Sequence, residues 1–178
     1  MLHLKKLLLG VICLIFLTSN LLAENKVAYI DLDKILVNTE SGKSLFKQLN
    51  NLEKLKLENL KNEEKKLKEE ENKILSTKNI LTQDEYIKKV KTFKKKIPLY
   101  QKKKKAIIDG LQKKRNTEVI RFLKMTNPLI ESIMEKNSID ILIEKKNIFI
   151  AKSNYDITEN ILEIINKEIK EFKIIDDQ

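Results

Sequence analysis

The spacing of the apolar positions changes along the chain, and each spacing predicts a different element. The run KVAYIDL at residues 26–32 predicts a short strand, and DKILVNT after it predicts a short helical turn that frays at Asn38. From about residue 44 to residue 75, apolar residues recur at intervals of three, four and seven, which is typical of a helix with one apolar seam. Gly42 is expected to break the chain before this helix.

A second long helix is predicted to begin at Gln83, because Thr82 and Glu85 have the spacing of a capping box. The two helices then form a hairpin whose tip lies near residues 76–82. Pro98 falls inside the second helix, where it costs about 3 kcal/mol and should kink it. The seam of this helix alternates by four and three and contains Tyr86, Val90, Phe93, Ile97, Tyr100, Ile107 and Leu111.

The last third of the chain is more apolar and predicts a folded body. Asn127 and Pro128 favour a helix that is capped and restarted there. SIDILIE and NIFIAKS predict two short strands joined by KKN in a β-hairpin, and YDITENILEIINKEIKEF predicts an amphipathic helix with Asp156 as N-cap. The residues expected to form the body core or an oligomer interface are Val27, Tyr29, Ile30, Ile141, Ile143, Ile148, Ile150, Ile161 and Ile165.

The predicted fold is of the α+β class and mostly α, with a small β-body, a long helical-hairpin (coiled-coil) arm and a C-terminal helix. Residues 24–43 supply the first strand and short helix of the body, residues 44–118 the arm, and residues 119–178 the rest of the body. Such a body is small for an independent core, and oligomerisation is the usual remedy.

The first 23 residues predict a secretory signal peptide. Lys5 and Lys6 precede an apolar run at residues 7–17, and Ala23 offers a small residue for cleavage. The run is too short for a comfortable membrane span, and an uncleaved anchor is the alternative. We therefore expect an exported chain located in the periplasm after cleavage near Ala23.

Cleavage changes the chemistry available to the protein. His3 and Cys13 are the single histidine and the single cysteine, and both lie in the predicted signal peptide. The mature chain would have no disulfide, no thiolate nucleophile, no Cys/His zinc site and no histidine base. No glycine-rich phosphate loop is present either. We expect neither an enzyme nor a cofactor.

The positive charge is concentrated in one stretch of the chain. The formal net charge is +10, and residues 84–115 alone carry thirteen basic and three acidic residues. A bias in composition would spread lysine evenly along the chain. This concentration therefore suggests that the positive electrostatic field of these residues has a function. The candidate surface for acidic partners is formed by the lysines off the apolar seam, Lys94, Lys95, Lys96, Lys102, Lys103 and Lys105.

The order of these elements resembles the Skp/OmpH family of periplasmic chaperones. The resemblance rests on KVAYIDLDKIL near the start, SIDILIEKKNIFIAKSNYDITENILEIIN near the end, and Pro128 between them. It implies a homotrimer in which short strands of three subunits form a central β-body and three arms surround a cavity. That cavity would hold unfolded outer-membrane proteins without ATP. Pro98 and the scarcity of arginine depart from the family pattern.

Two other functions fit parts of the sequence. A structural coiled-coil spacer of the cell envelope would explain the lysines as a solvated helix face. Such a spacer would need a more regular apolar seam than this chain has. A basic coiled coil could also bind nucleic acid without sequence preference, but the signal peptide argues against nucleic acid as a physiological partner. Anionic lipid or lipopolysaccharide is a further expected partner of the basic arm.

Overall fold

The computed structural model describes residues 25–175, so the predicted signal peptide lies outside the described residues. Two long antiparallel helices form an arm, and shorter elements from both ends of the chain pack around its base. The elements in chain order are β1 (Val27–Ile30), α1 (Leu32–Asn38), α2 (Glu40–Ser76), α3 (Gln83–Lys136), β2 (Ile141–Glu144) and α4 (Thr158–Glu168).

The arm is built from α2, with 37 residues, and the N-terminal part of α3, which has 54. At 1.5 Å per residue, α2 is about 55 Å long. The helix α3 begins at Gln83 as predicted, and its capping box is present: the Thr82 N–H and hydroxyl donate to Glu85 Oε2 at 3.1 and 2.7 Å. Because α3 runs on without a break into the body, the boundary placed at residue 118 stays a prediction.

The predicted restart of the helix at Pro128 is wrong. Asn127 and Pro128 both lie inside α3, as does Pro98. A proline inside a helix removes one backbone hydrogen bond. Around Pro128, the burial of Phe122, Ile130 and Ile133 offsets this loss, since these side chains hold both sides of the helix against the core. The kink expected at Pro98 stays a prediction.

Gly42 does not break the chain but permits a close contact. It lies in the first turn of α2, where its N–H donates to the Thr39 hydroxyl at 3.1 Å. A Cβ on Gly42 would lie only 1.9 Å from the Leu36 carbonyl oxygen, which belongs to α1. Glycine is therefore required at this position for the tight corner between α1 and α2. The residue that suggested a chain break in the sequence is there because the two helices pack closely.

The sheet has two strands among the described residues, and they are parallel, with Val27 opposite Ile141. The predicted β-hairpin is therefore wrong for the single chain. After β2, Lys145–Asn147 form a 3-10 turn, and the apolar run that follows has no strand partner. The NIFIAKS run therefore forms no strand with β2, and the backbone bridge beside the sheet joins Tyr29 of β1 to Asp156 instead.

The C-terminal helix is shorter than predicted at both ends. The helix α4 starts at Thr158 with Ile157 at the cap position, and Asp156 acts one residue away by accepting a hydrogen bond from the Thr158 N–H at 2.9 Å. After Glu168 the chain becomes extended. We call residues 169–175 the C-terminal strap, because they cross the base of the arm.

The core lies where α1, the arm base, α4 and the C-terminal strap meet. Its buried members are Ile30, Ile35, Leu36, Leu45, Leu49, Phe122, Ile130, Ile133, Ile161, Ile165 and Phe172. Within residues 25–175, no helix has the length and apolar character needed to cross a membrane.

Candidate functional site

The middle of the arm has a narrow buried seam. Phe93 and Tyr100 from α3 are buried against α2, whereas the predicted seam residue Ile97 is partly exposed. The Tyr100 hydroxyl lies 3.3 Å from the Leu60 carbonyl oxygen and 3.1 Å from Glu64 Oε2, within hydrogen-bond range of both. Burial, followed by the Glu64 carboxylate, raises the pKa of Tyr100. The hydroxyl therefore stays protonated and serves as a donor that ties the two helices together.

The structure divides the six predicted lysines into two groups. All six are exposed. Lys96 Nζ lies 2.6 Å from Glu70 Oε1, and Lys103 Nζ lies 2.5 Å from Glu63 Oε2, so these two connect α3 to α2. Among residues 25–175, no ion pair forms at the other four, which are Lys94, Lys95, Lys102 and Lys105. Those four ammonium groups are available to a partner.

Exposed apolar side chains are scattered among these charges. Leu99 lies between the two lysine runs and is 67% exposed, and Ile80 at the tip is 80% exposed. Other exposed apolar residues along the arm are Leu55, Leu57, Leu75, Ile87 and Ile108. They are spread along both helices, and the arm surface therefore offers many small apolar contacts within a cationic field.

The base of the arm holds a buried ion cluster that the sequence did not reveal. The Glu118 side chain is 1% exposed and lies 2.7 Å from Arg121 Nη2 and 3.2 Å from Lys114 Nζ. Its Oε1 also accepts a hydrogen bond from the Ile175 N–H at 3.1 Å. Burial alone would raise the pKa of the Glu118 carboxyl, but the bonds from Arg121, Ile175 and Lys114 outweigh it and hold that pKa below its ordinary value.

The C-terminal strap is fixed to both helices of the arm. Phe172 packs edge-on against Phe122, with ring centroids 5.7 Å apart. The Arg121 guanidinium lies 4.1 Å from the centroid of the Phe172 ring. From α2, Gln48 donates to the Phe172 carbonyl at 2.5 Å. The sequence analysis placed Phe172 in the predicted C-terminal helix. The one signal that could have shown that it lies beyond the helix is the weakening of the apolar pattern after Ile169.

The nine predicted body residues fall into three places. Ile30, Ile161 and Ile165 belong to the buried core, and Tyr29 is also buried. Four others line an open cavity of about 640 Å³ beside the sheet, namely Val27, Ile143, Ile148 and Ile150. Ile141 is partly exposed on β2. Ile150 is 85% exposed and its neighbour Phe149 is fully exposed, so this face of the body carries uncovered apolar surface.

Comparisons with known proteins identify this arrangement. The family model described as outer membrane protein (OmpH-like) matches residues 26–165. No curated protein matches the sequence. A solved structure of an OmpH-like protein from Caulobacter crescentus CB15, assigned as an outer membrane chaperone, is 16% identical, with a TM-score of 0.79. The match covers 86% of this chain and 91% of that chain, and at this identity it shows the shared fold. The chain therefore belongs to the OmpH-like family.

Proposed function

We propose that the mature chain is an ATP-independent holdase that captures unfolded outer-membrane proteins on its arm in the periplasm and prevents their aggregation. The observation that carries this proposal is the arm surface, where four lysines that form no ion pair within residues 25–175 lie on both sides of exposed apolar side chains such as Leu99. A surface of many small contacts suits clients of many sequences, because no single contact demands a particular residue.

The two kinds of contact have different roles in this proposal. The lysines attract acidic segments over a distance that salt limits to about 8 Å at physiological ionic strength. The apolar side chains then contact the client directly, and each gains about 25 cal/mol for every Å² of apolar surface that is covered. Release needs no fuel, since each of these contacts is weak and exchanges rapidly. The same lysines would also bind anionic lipid headgroups or lipopolysaccharide.

The proposal includes self-assembly into a homotrimer through the body. A two-stranded sheet is marginally stable alone, and the segment around Phe149 and Ile150 exposes apolar surface next to it. Pairing of this segment with strands of other copies would cover that surface. Three arms would then extend from one body and enclose a client between them.

The test is an aggregation assay. An unfolded outer-membrane β-barrel protein is diluted from urea with or without residues 24–178, and light scattering is recorded at low and high salt. The proposal predicts suppressed scattering at low salt and weaker suppression at high salt. An equal mass of an unrelated acidic protein is the control. Scattering that is the same with and without the chain at both salt concentrations would reject the holdase and leave the envelope spacer as the better explanation.

A further inference from the structure

The C-terminal strap lies beyond the part of the chain that the family model matches, which ends at residue 165. Residues 172–175 of the strap contact the base of the arm through main-chain hydrogen bonds and through inward-facing apolar side chains. We call the surface that makes these contacts the strap site, and its residues are Ser44, Gln48, Lys114, Glu118, Arg121 and Phe122.

From α2, the strap site binds the main chain of the strap with a serine and a glutamine. The Ser44 hydroxyl donates to the Phe172 carbonyl oxygen at 3.1 Å, and the Gln48 amide nitrogen donates to the same oxygen. The Gln48 amide oxygen accepts a hydrogen bond from the Ile174 N–H at 3.2 Å. Gln48 therefore pairs with a carbonyl and an N–H of the strap, as a residue of a neighbouring parallel strand does.

From α3, three charged side chains bind further main-chain atoms of the strap. Arg121 donates to the Lys173 carbonyl oxygen, and Lys114 donates to the Ile175 carbonyl oxygen. Glu118 Oε1 accepts a hydrogen bond from the Ile175 N–H at 3.1 Å. None of these hydrogen bonds involves a side chain of the strap, so a segment of another sequence could form them equally well.

The strap site selects side chains at alternate positions. Phe172 is 2% exposed and contacts both the Phe122 ring and the Arg121 guanidinium. Ile174 packs against the core, whereas Lys173 between them is exposed. Inward side chains at every second residue are the pattern of an extended chain. The site therefore suits a segment that has an aromatic residue and an apolar residue two positions after it.

We propose that the strap site is a peptide-binding site and that the strap occupies it as a tethered competitor. The other ligand is a segment of an unfolded client with the same spacing, an assignment that rests on the proposed function. Strands of outer-membrane barrels alternate apolar and polar residues and carry aromatic residues at both membrane interfaces. The strap thus resembles a client strand, and a client segment must displace it to reach the site.

Fluorescence anisotropy of a labelled peptide with the strap sequence IKEFKII tests the site without any client. Phe172→Ala frees the site, because the strap then lacks its anchor. A tethered segment competes at an effective concentration of about 1 mM, so a peptide with a Kd of about 0.1 mM should bind F172A roughly tenfold more tightly than the unmodified chain. The matched control K173Q changes an exposed strap residue and should bind the peptide as weakly as the unmodified chain. Equal Kd values in F172A and K173Q, or no binding to either, would overturn the proposal.

The F172A variant also loses a core side chain, so a second experiment keeps Phe172. A protease site placed after Glu168, where α4 ends, is cut once the full chain has folded. We expect the labelled peptide to replace the cut strap while the far-UV circular dichroism stays unchanged. Loss of helicity on cutting, or a strap that an excess of peptide does not displace, would show that the strap is part of the core and not a competitor.

A threonine peptide tests which side chains the site selects. It keeps the residues that correspond to Phe172 and Ile174 and has threonine at every other position. We expect its Kd for F172A to lie within about threefold of the value for the strap peptide, and we expect binding to be lost when alanine replaces its phenylalanine. Binding of the strap peptide alone would reject client segments as ligands. Because no client is used, these results stand whether or not the aggregation assay supports a holdase.

Discussion

The division of the arm lysines into paired and unpaired groups makes a sharp prediction about client binding. Lys95 and Lys102 are seven residues apart on α3 and form no ion pair within residues 25–175, whereas Lys96 and Lys103, also seven apart, are held by Glu70 and Glu63. The double variant K95Q/K102Q should therefore weaken capture. The double variant E63Q/E70Q should strengthen it, because it releases two lysines that are already in position.

The expected size follows from the exposure of these groups. An exposed charge pair contributes about 0.5 kcal/mol. Each double variant therefore changes the binding free energy by about 1 kcal/mol, which is roughly fivefold in Kd. Removal of two lysines in K95Q/K102Q should raise Kd, and release of two lysines in E63Q/E70Q should lower it. Loss of the two helix-to-helix ion pairs in E63Q/E70Q should lower the free energy of unfolding by about 1 kcal/mol at most.

Anisotropy of a labelled, unfolded outer-membrane β-barrel protein at 0.15 M salt measures these constants. The matched control is E58Q/E69Q, which neutralises two exposed acids of α2 that hold no lysine among the described residues. Its effect on Kd should be smaller than that of E63Q/E70Q. Equal Kd values in all variants would show that apolar contacts dominate and would refute the charge argument. Replacement of all six lysines is a poorer test, since it also removes the two ion pairs that join the helices.

Three further predictions concern the body. Gly42→Ala should lower the free energy of unfolding by at least about 1 kcal/mol in urea titration, because the added Cβ would collide with the Leu36 carbonyl oxygen. This cost exceeds the gain of about 1 kcal/mol that alanine brings to a helix. A variant more stable than the unmodified chain would contradict the steric explanation. Glu118→Gln should cost roughly 2 kcal/mol at pH 7. The pKa of Glu118 is lowered in the folded state, so its contribution to stability is present above the ordinary carboxyl pKa and is lost as the pH falls through the folded-state pKa. The stability difference between the variant and the unmodified chain should therefore shrink in acid. A difference that stays constant across pH would exclude the ion cluster as its cause. Replacing Phe149 and Ile150 by serine should shift the mass in sedimentation equilibrium from trimer towards monomer with retained helicity, and an unchanged mass would remove this segment from the proposed interface.

Much of the fold was predictable from local signals. The capping box at Thr82 placed the start of α3 at Gln83, and apolar spacing indicated both long helices. These features depend on neighbours three or four residues away, which a sequence displays directly. The features that failed depend on distant partners: β2 pairs with β1 across more than 100 residues, and Pro128 is tolerated because the surrounding helix is held by the core.

The candidate site was predictable in composition but not in arrangement. The sequence indicates that Lys94, Lys95 and their neighbours lie off the seam, yet it does not show that Lys96 and Lys103 find carboxylates on the other helix. Nor does it show that Glu118 is buried, since one acid in a basic stretch resembles an ordinary surface residue. Which charges are paired depends on how the two helices align, and that alignment is a property of the folded arm.

Retention of a foldable client is the most direct test of the central proposal. The mature chain is mixed with a urea-unfolded outer-membrane β-barrel protein, and the soluble complex is isolated by size exclusion without nucleotide. Detergent micelles are then added, and folding of the barrel is followed by its shift in electrophoretic mobility between heated and unheated samples. The account predicts a soluble complex whose client folds once micelles are present. A client that precipitates despite the chain, or one that needs ATP for release, would contradict it.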